Sequence, residues 1–206
     1  MSLLLISAPE IEDTQNSVKQ LDQAIDVVLG GIRWKVMLFP EGLNRKLLNT
    51  LYNTLMAYIS WHSKILVIRF DVSLYDSLPN NNTISKLRSY ILKHLKSHYN
   101  SKAEFGWVRE QNRYDDKCHY HCFVLLNGQK AKSSYVTFDL AKKARELIID
   151  INIHFPENCT YMILPNTLSS IQAALYRLSY LVKNVTKENN PAFAKGHYFG
   201  RIKHKA

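Results

Sequence analysis

The segment Ile65–Leu74, ILVIRFDVSL, most narrows what this chain can become. It is short, apolar and rich in β-branched residues, so it reads as a buried strand. Further strands are expected at Ala103–Gln111 (AEFGWVREQ) and 119–126 (HYHCFVLL). The polar stretch 112–117 between them makes a hairpin the natural connection. A shorter strand is expected over 160–164.

Helical patterns surround these strands. Residues 43–61 place Leu47, Leu51, Leu55, Tyr58 and Ile59 at helical spacing, and 83–98 do the same with Ile84, Leu87, Ile91 and Leu95. Residues 139–150 and 168–187 also read as helices. Near the start, Val18, Leu21, Ile25 and Val28 suggest a helix stopped by Gly30-Gly31. The expected class is α+β: an antiparallel sheet of at least three strands, flanked by helices. Residues 1–62 are expected to form a helical appendage, 63–190 the main domain, and 191–206 a basic tail.

Apolar residues make up 46% of the 206-residue chain, enough for a real core. No apolar run approaches the ~20 residues a membrane-spanning helix needs. The first residues lack the basic start of a secretion signal. The three cysteines, Cys118, Cys122 and Cys159, are too few and odd in number for a disulfide framework. A cytoplasmic protein is expected. The net charge is +10 and uneven: residues 1–30 hold one lysine against five acids, leaving +14 on the remainder. So basic a domain suggests a polyanionic partner.

Successive side chains of a strand point to opposite faces, so His119 and His121 project together. Two imidazoles so placed can share one metal ion. The neighbouring strand ends in Arg109-Glu110-Gln111, which brings Glu110 alongside as the carboxylate ligand. Asp71, which alternates onto one face with Arg69 and Ser73, and Gln111 are the alternatives. Such a set suits Mg²⁺ or Mn²⁺ and leaves positions open for a phosphate oxygen. A zinc site using Cys118 and Cys122 is disfavoured, because strand parity sends the cysteines to the other face.

The segment 171–187, IQAALYRLSYLVKNVTK, holds a second group. At about 100° per residue, Ile171, Leu175, Leu178 and Val182 form a core stripe. Tyr176, Tyr180 and Lys183 fall together on the face opposite that stripe, one turn apart. A nearby ammonium favours the charged form of a phenol and steadies a phosphate.

These two groups, in this order, resemble the HUH endonucleases, the rolling-circle initiators and relaxases with a His-hydrophobe-His strand and a downstream tyrosine helix. YRLSYLVK matches the Tyr-x-x-x-Tyr-x-x-Lys pattern of the two-tyrosine subgroup. Together with ILVIRFDVS, WVREQ and HYHCFVLLN it looks like the inovirus replication proteins, over roughly residues 64–187. The resemblance implies a sheet with the His119-x-His121 strand at its centre, a bacterial host cell, a metal on His119, His121 and Glu110, Tyr180 as nucleophile, Tyr176 as the second tyrosine, and Lys183 beside the phosphate. It implies a 5′-phosphotyrosine intermediate on single-stranded or hairpin origin DNA. The chain has no room for a helicase domain, so a host helicase and polymerase are expected partners. Arg69, Lys86, Arg88, Lys93, Lys96, Lys142, Lys143 and Arg145 are candidates for phosphate contacts, and Trp107 or Tyr114 for base stacking. The rival expectations are a DNA-binding relative without chemistry, and a relaxase or transposase using the same chemistry.

Overall fold

The computed structural model describes residues 24–75, 80–111, 118–184 and 195–206. It begins with a hairpin where the spacing suggested a helix. Strands Ala24–Leu29 (β1) and Ile32–Met37 (β2) pair antiparallel around Gly30-Gly31. Both glycines have positive φ, 58° and 78°, the conformation a two-residue turn of this hand requires. Alternation governs burial here: Val27, Leu29, Trp34 and Val36 are buried, whereas Val28 is 66% exposed. The helical spacing of Ile25 and Val28 was accidental; Val18 and Leu21 lie outside the described residues.

Helix Arg45–Ile59 (α1) follows, with Asn44 Oδ1 capping its start by accepting from the Leu47 amide at 3.0 Å. The strand Ile65–Leu74 (β3) leads to helix Asn82–Tyr99 (α2), and then to strands Ala103–Gln111 (β4) and Cys118–Asn127 (β5). Helix Tyr135–Leu147 (α3) begins four residues before its expected start and ends early. Asp150 takes a positive φ of 62°, which frees Ile151–His154 to form an unanticipated strand (β6). Strand Thr160–Ile163 (β7), helix Leu168–Ser179 (α4) and the two-residue strand His197–Tyr198 (β8) complete the described elements.

The main sheet has six antiparallel strands in the order β6-β3-β5-β4-β8, with β7 also on β3. β5 is therefore central, as expected. β6 and β7 lie end to end along one edge of β3, pairing with Asp71–Leu74 and Ile65–Ile68. The sheet divides two cores. On one side Leu66, Ile68, Phe70, Trp107, Tyr120 and Val124 pack under α2 and α3. On the other, Val67, Val108, Phe123 and Leu125 pack under α1, α4 and the β1-β2 hairpin. Each fully buried Leu, Ile or Phe contributes roughly 1.5–3 kcal/mol, which explains why β3 and β5 run almost unbroken in apolar residues. The described part of the C-terminal tail is docked: β8 pairs with β4, and Trp61 Nε1 donates to the Lys203 carbonyl at 2.7 Å.

Gly106 on β4 lies directly under the ring of its cross-strand partner Phe123, and an added Cβ would collide with that ring. Gly106→Ala is therefore expected to destabilise the fold by about 1–3 kcal/mol. Urea unfolding checks this: the midpoint should fall while the slope stays constant.

Candidate active site

At one end of the sheet, the face under α4 changes from apolar to polar. In register, Asp71 lies opposite His121, Ser73 opposite His119, and Glu110 opposite His119. Parity puts all five on one face, joined by Arg69. The histidines are thus brought together with both acids named from the sequence, and the two acids divide the labour. Asp71 Oδ1 lies 2.6 Å from His121 Nδ1, and Glu110 Oε2 lies 3.0 Å from His121 Nε2. His119 Nδ1 meets Ser73 Oγ at 3.0 Å. Cys118 and Cys122 are buried in the opposite core, beneath α2 and α3, away from the histidines.

The tyrosine helix is shorter than its pattern suggested. α4 ends at Ser179, Tyr180–Val182 form a single 3₁₀ turn, and Lys183 turns extended at φ −57°, ψ 148°. The competitor that ends the helix is the connection between β2 and α1. The Asn44 amide donates to the Val182 carbonyl at 2.8 Å, the Asn184 amide to the Gly42 carbonyl at 3.0 Å, and Leu43 forms a β-bridge with Lys183. The Met37 amide also donates to Ser179 Oγ at 3.0 Å. This strap captures carbonyls and amides that continued helix would otherwise use.

The turn swings Tyr180 onto the polar end of the sheet. Its hydroxyl accepts a hydrogen bond from Lys183 Nζ at 3.0 Å, and Nζ lies 3.4 Å from Glu110 Oε2. The Tyr180 ring meets the His121 ring at 4.9 Å, edge to face at 84°. The Arg69 guanidinium carbon sits 4.6 Å from the Tyr180 ring centroid. Phe39, which no sequence pattern marks, packs edge-on against the same ring at 5.8 Å. Tyr176 is half-buried one turn earlier, with Arg177 and Tyr161 as electrostatic neighbours.

Charges alternate through the cluster: Arg69, Asp71, His121, Glu110, Lys183. Burial opposes the charged form of His121, but its bonds to Asp71 and Glu110 outweigh that effect and raise it above its ordinary 6.5. Burial likewise pushes Asp71 up, and the His121 bond with Arg69 overcomes it, holding the carboxyl below 3.8. Burial works against the Lys183 ammonium, and Tyr180 and Glu110 more than restore it.

Among the described residues, no group of three or more His, Cys, Asp or Glu side chains is already gathered to hold a metal ion. The donor chemistry nevertheless fits one. Asp71 engages Nδ1 of His121 and turns Nε2 toward Glu110, the arrangement in which a carboxylate orients a ligating imidazole. Glu110, and not Asp71, is thus the carboxylate on the Nε2 side of His121. The backbone of Gln111 pairs with Cys118, one step beyond the Glu110–His119 pair.

The cationic side chains separate. Arg69 lies in the cluster, whereas Lys86, Arg88, Lys93, Lys142 and Lys143 stand on α2 and α3, across the sheet from Tyr180. Arg88 donates to the Tyr198 hydroxyl at 3.0 Å, and Lys143 pairs with Asp139 at 2.8 Å. Trp107 is buried against Tyr120 and stacked with Tyr198, so it is not a surface for bases; Tyr114 lies outside the described residues. No described helix is long and apolar enough to cross a membrane.

A raised histidine pKa means that the folded protein holds the proton more tightly than the unfolded chain. His121 therefore stabilises the fold fully below pH 6.5, and that contribution disappears as pH rises through its native value. In metal-free buffer, ¹⁵N NMR of the imidazole should give a midpoint above 6.5, lowered by Asp71→Asn. A midpoint at or below 6.5 in the wild type would rule out the ion-paired arrangement.

Comparison with known proteins gives one result. The family model described as the YagK/YfjJ C-terminal domain matches residues 33–201, from β2 through β8. No curated protein and no solved structure matches the chain. With most of its length covered by that model, the chain belongs to the YagK/YfjJ C-terminal domain family.

Proposed function

We propose that this protein cuts and rejoins single-stranded DNA through a covalent bond to Tyr180, starting rolling-circle replication of a phage or plasmid in a bacterial cell. One run of contacts carries the reading: Tyr180 hydroxyl to Lys183, Lys183 to Glu110, Glu110 to His121. A nucleophile, a cation and a histidine–carboxylate pair thereby meet within hydrogen-bonding reach. The order of the two motifs supports the same reading through the resemblance to HUH endonucleases.

In this reading the Tyr180 oxygen attacks the scissile phosphorus in line. A bond forms between tyrosyl oxygen and phosphorus, and the bond to the 3′ oxygen breaks. The phenolic proton passes to solvent and the departing oxygen takes one up. The products are a 5′-phosphotyrosine and a free 3′-hydroxyl. The phosphoester is conserved, so attack by a 3′-hydroxyl reseals the strand without ATP. Lys183 steadies the charge that develops at the tyrosyl and phosphoryl oxygens. Asp71 holds the His121 ring, and Ser73 holds that of His119. Mg²⁺ or Mn²⁺ held by His119, His121 and Glu110 would supply Lewis-acid polarisation of the phosphate. Tyr176 would accept the second strand transfer. The substrate is single-stranded or hairpin DNA at an origin, with Lys86, Lys93, Lys142 and Lys143 assigned to its flanking duplex. Unwinding and synthesis fall to a host helicase and polymerase.

A second reading, a DNA-binding protein without chemistry, draws on the net charge of +10. One experiment separates the two. Protein is mixed with labelled single strands carrying a filamentous-phage plus-strand origin and Mn²⁺, then run on a denaturing gel. Wild type should yield a denaturant-resistant protein–DNA band. Tyr180→Phe and His121→Ala should lower its rate at least about a hundredfold, while Tyr176→Phe leaves the first cut intact. EDTA should abolish the band and Mn²⁺ restore it. Salt-sensitive binding with no band on any strand would establish the second reading.

Lys86→Gln with Lys93→Gln should weaken binding to hairpin DNA and flatten its salt dependence by about 0.9 per lost contact. Cleavage of a short, unstructured strand should be unchanged. Equal losses on both substrates would place those lysines beside the cut strand instead.

A further inference from the structure

We infer that Arg69 is a positioning residue, which fixes the Tyr180 ring and the His121 imidazole in one relation for the first cut. The inference deepens the proposed function and depends on Tyr180 being the nucleophile there.

Arg69 lies on the sheet face that carries the cluster, yet its side chain is only 4% exposed. Its Nη2 donates to both carboxylate oxygens of Asp71, at 3.0 and 3.1 Å. Asp71 in turn lies 2.6 Å from His121 Nδ1. The same guanidinium stands over the Tyr180 ring, 4.6 Å from its centroid. One planar group therefore touches the orienting carboxylate of His121 and the face of the tyrosine. Lys183 completes the hold from the other end, at the Tyr180 hydroxyl.

Burying a guanidinium is unfavourable unless it is paired, and a well-packed apolar side chain often serves stability as well or better. The pairing with Asp71 offsets the loss, and the contact with Tyr180 adds attraction between cation and ring. What the arrangement supplies beyond packing is geometry. A planar fork held by a carboxylate cannot slide as an alkyl chain can. The β3 backbone beneath it is fixed as well, since the Arg69 amide donates to the Cys159 carbonyl at 2.7 Å. A phosphate reaching this guanidinium would have to displace the Tyr180 ring that stands against it.

Tyr180 is gripped at its ring by Arg69 and at its hydroxyl by Lys183. A misplacement of about 1 Å can cost a hundredfold in rate, so this double hold on one phenol bears directly on the rate of the first cut.

The test uses the full chain with Arg69→Lys, which keeps the charge but loses the fork, and Arg69→Met, which keeps the bulk without charge. Single-turnover adduct formation on the labelled origin strand should slow at least about tenfold, with strand affinity and its salt dependence unchanged. A phosphate-binding Arg69 would give the opposite: weaker affinity in Arg69→Met and a salt slope reduced by about 0.7. A second readout needs no chemistry. With 3-fluorotyrosine at position 180 and ¹⁵N-labelled histidine, both variants should shift the Tyr180 fluorine and the His121 nitrogen signals together. Movement of one signal alone, or of neither, overturns the inference. A wild type that forms no adduct would remove the nicking function, while the paired spectra would still decide whether Arg69 links the two rings.

Discussion

Ten residues of β3 lie antiparallel to ten of β5, and the register of that ladder sets nearly every distance in the cluster. It puts Asp71 opposite His121 and Ser73 opposite His119. It also sorts the apolar residues, sending Phe70 and Val124 to one core and Val67 and Phe123 to the other. Both cores are filled, so a slip of one residue would exchange them and bury the polar row under α2. The hydrophobic pattern that holds the strands in register is therefore also what aligns the histidine with its carboxylate. Folding and site assembly are one event at this ladder.

The polar row is the expensive part of the molecule. Arg69, Glu110 and His121 are all buried, and isolated charges there would be strongly unfavourable. They are tolerated because signs alternate along a connected path, each charge bonded to the next. Removing one member leaves its neighbours buried and unpaired, so the cluster resists piecemeal change. That interdependence distinguishes it from the exposed lysines of α2 and α3, where an ion pair such as Lys143 with Asp139 adds little to stability.

Sequence was most informative where periodicity and burial agree. β3, β4, β5 and helices α1 and α2 follow directly from runs of apolar residues at period 2 or 3.6. The parity of His119 and His121, and their separation from the cysteines, also follows from the strand alone. The hairpin at residues 24–37 did not, because four apolar residues happened to fall at helical spacing, while the Gly-Gly turn that contradicts a helix resembles a helix stop. Strand β6 was hidden by its brevity. Sequence named Asp71 and Glu110 together but could not say which nitrogen of His121 each would meet, since that depends on side-chain directions across three strands. Phe39 and the strap were out of reach for a different reason. They meet Tyr180 across more than a hundred residues of chain, and no local pattern marks such a contact.

The strap has a mechanical consequence. Tyr180 sits on a 3₁₀ turn that is tied on one side to α4 and on the other to residues 42–44 by main-chain hydrogen bonds. Lys183, immediately after the turn, is moored to β4 through Glu110. Tension applied at the tyrosine is consequently shared by a helix, a β-bridge and the central sheet acting in parallel. No single one of them must yield for the side chain to stay in place. A side chain at the frayed end of a free helix would trail whatever pulled on it. This one is anchored like a cable splice, held by three elements at once.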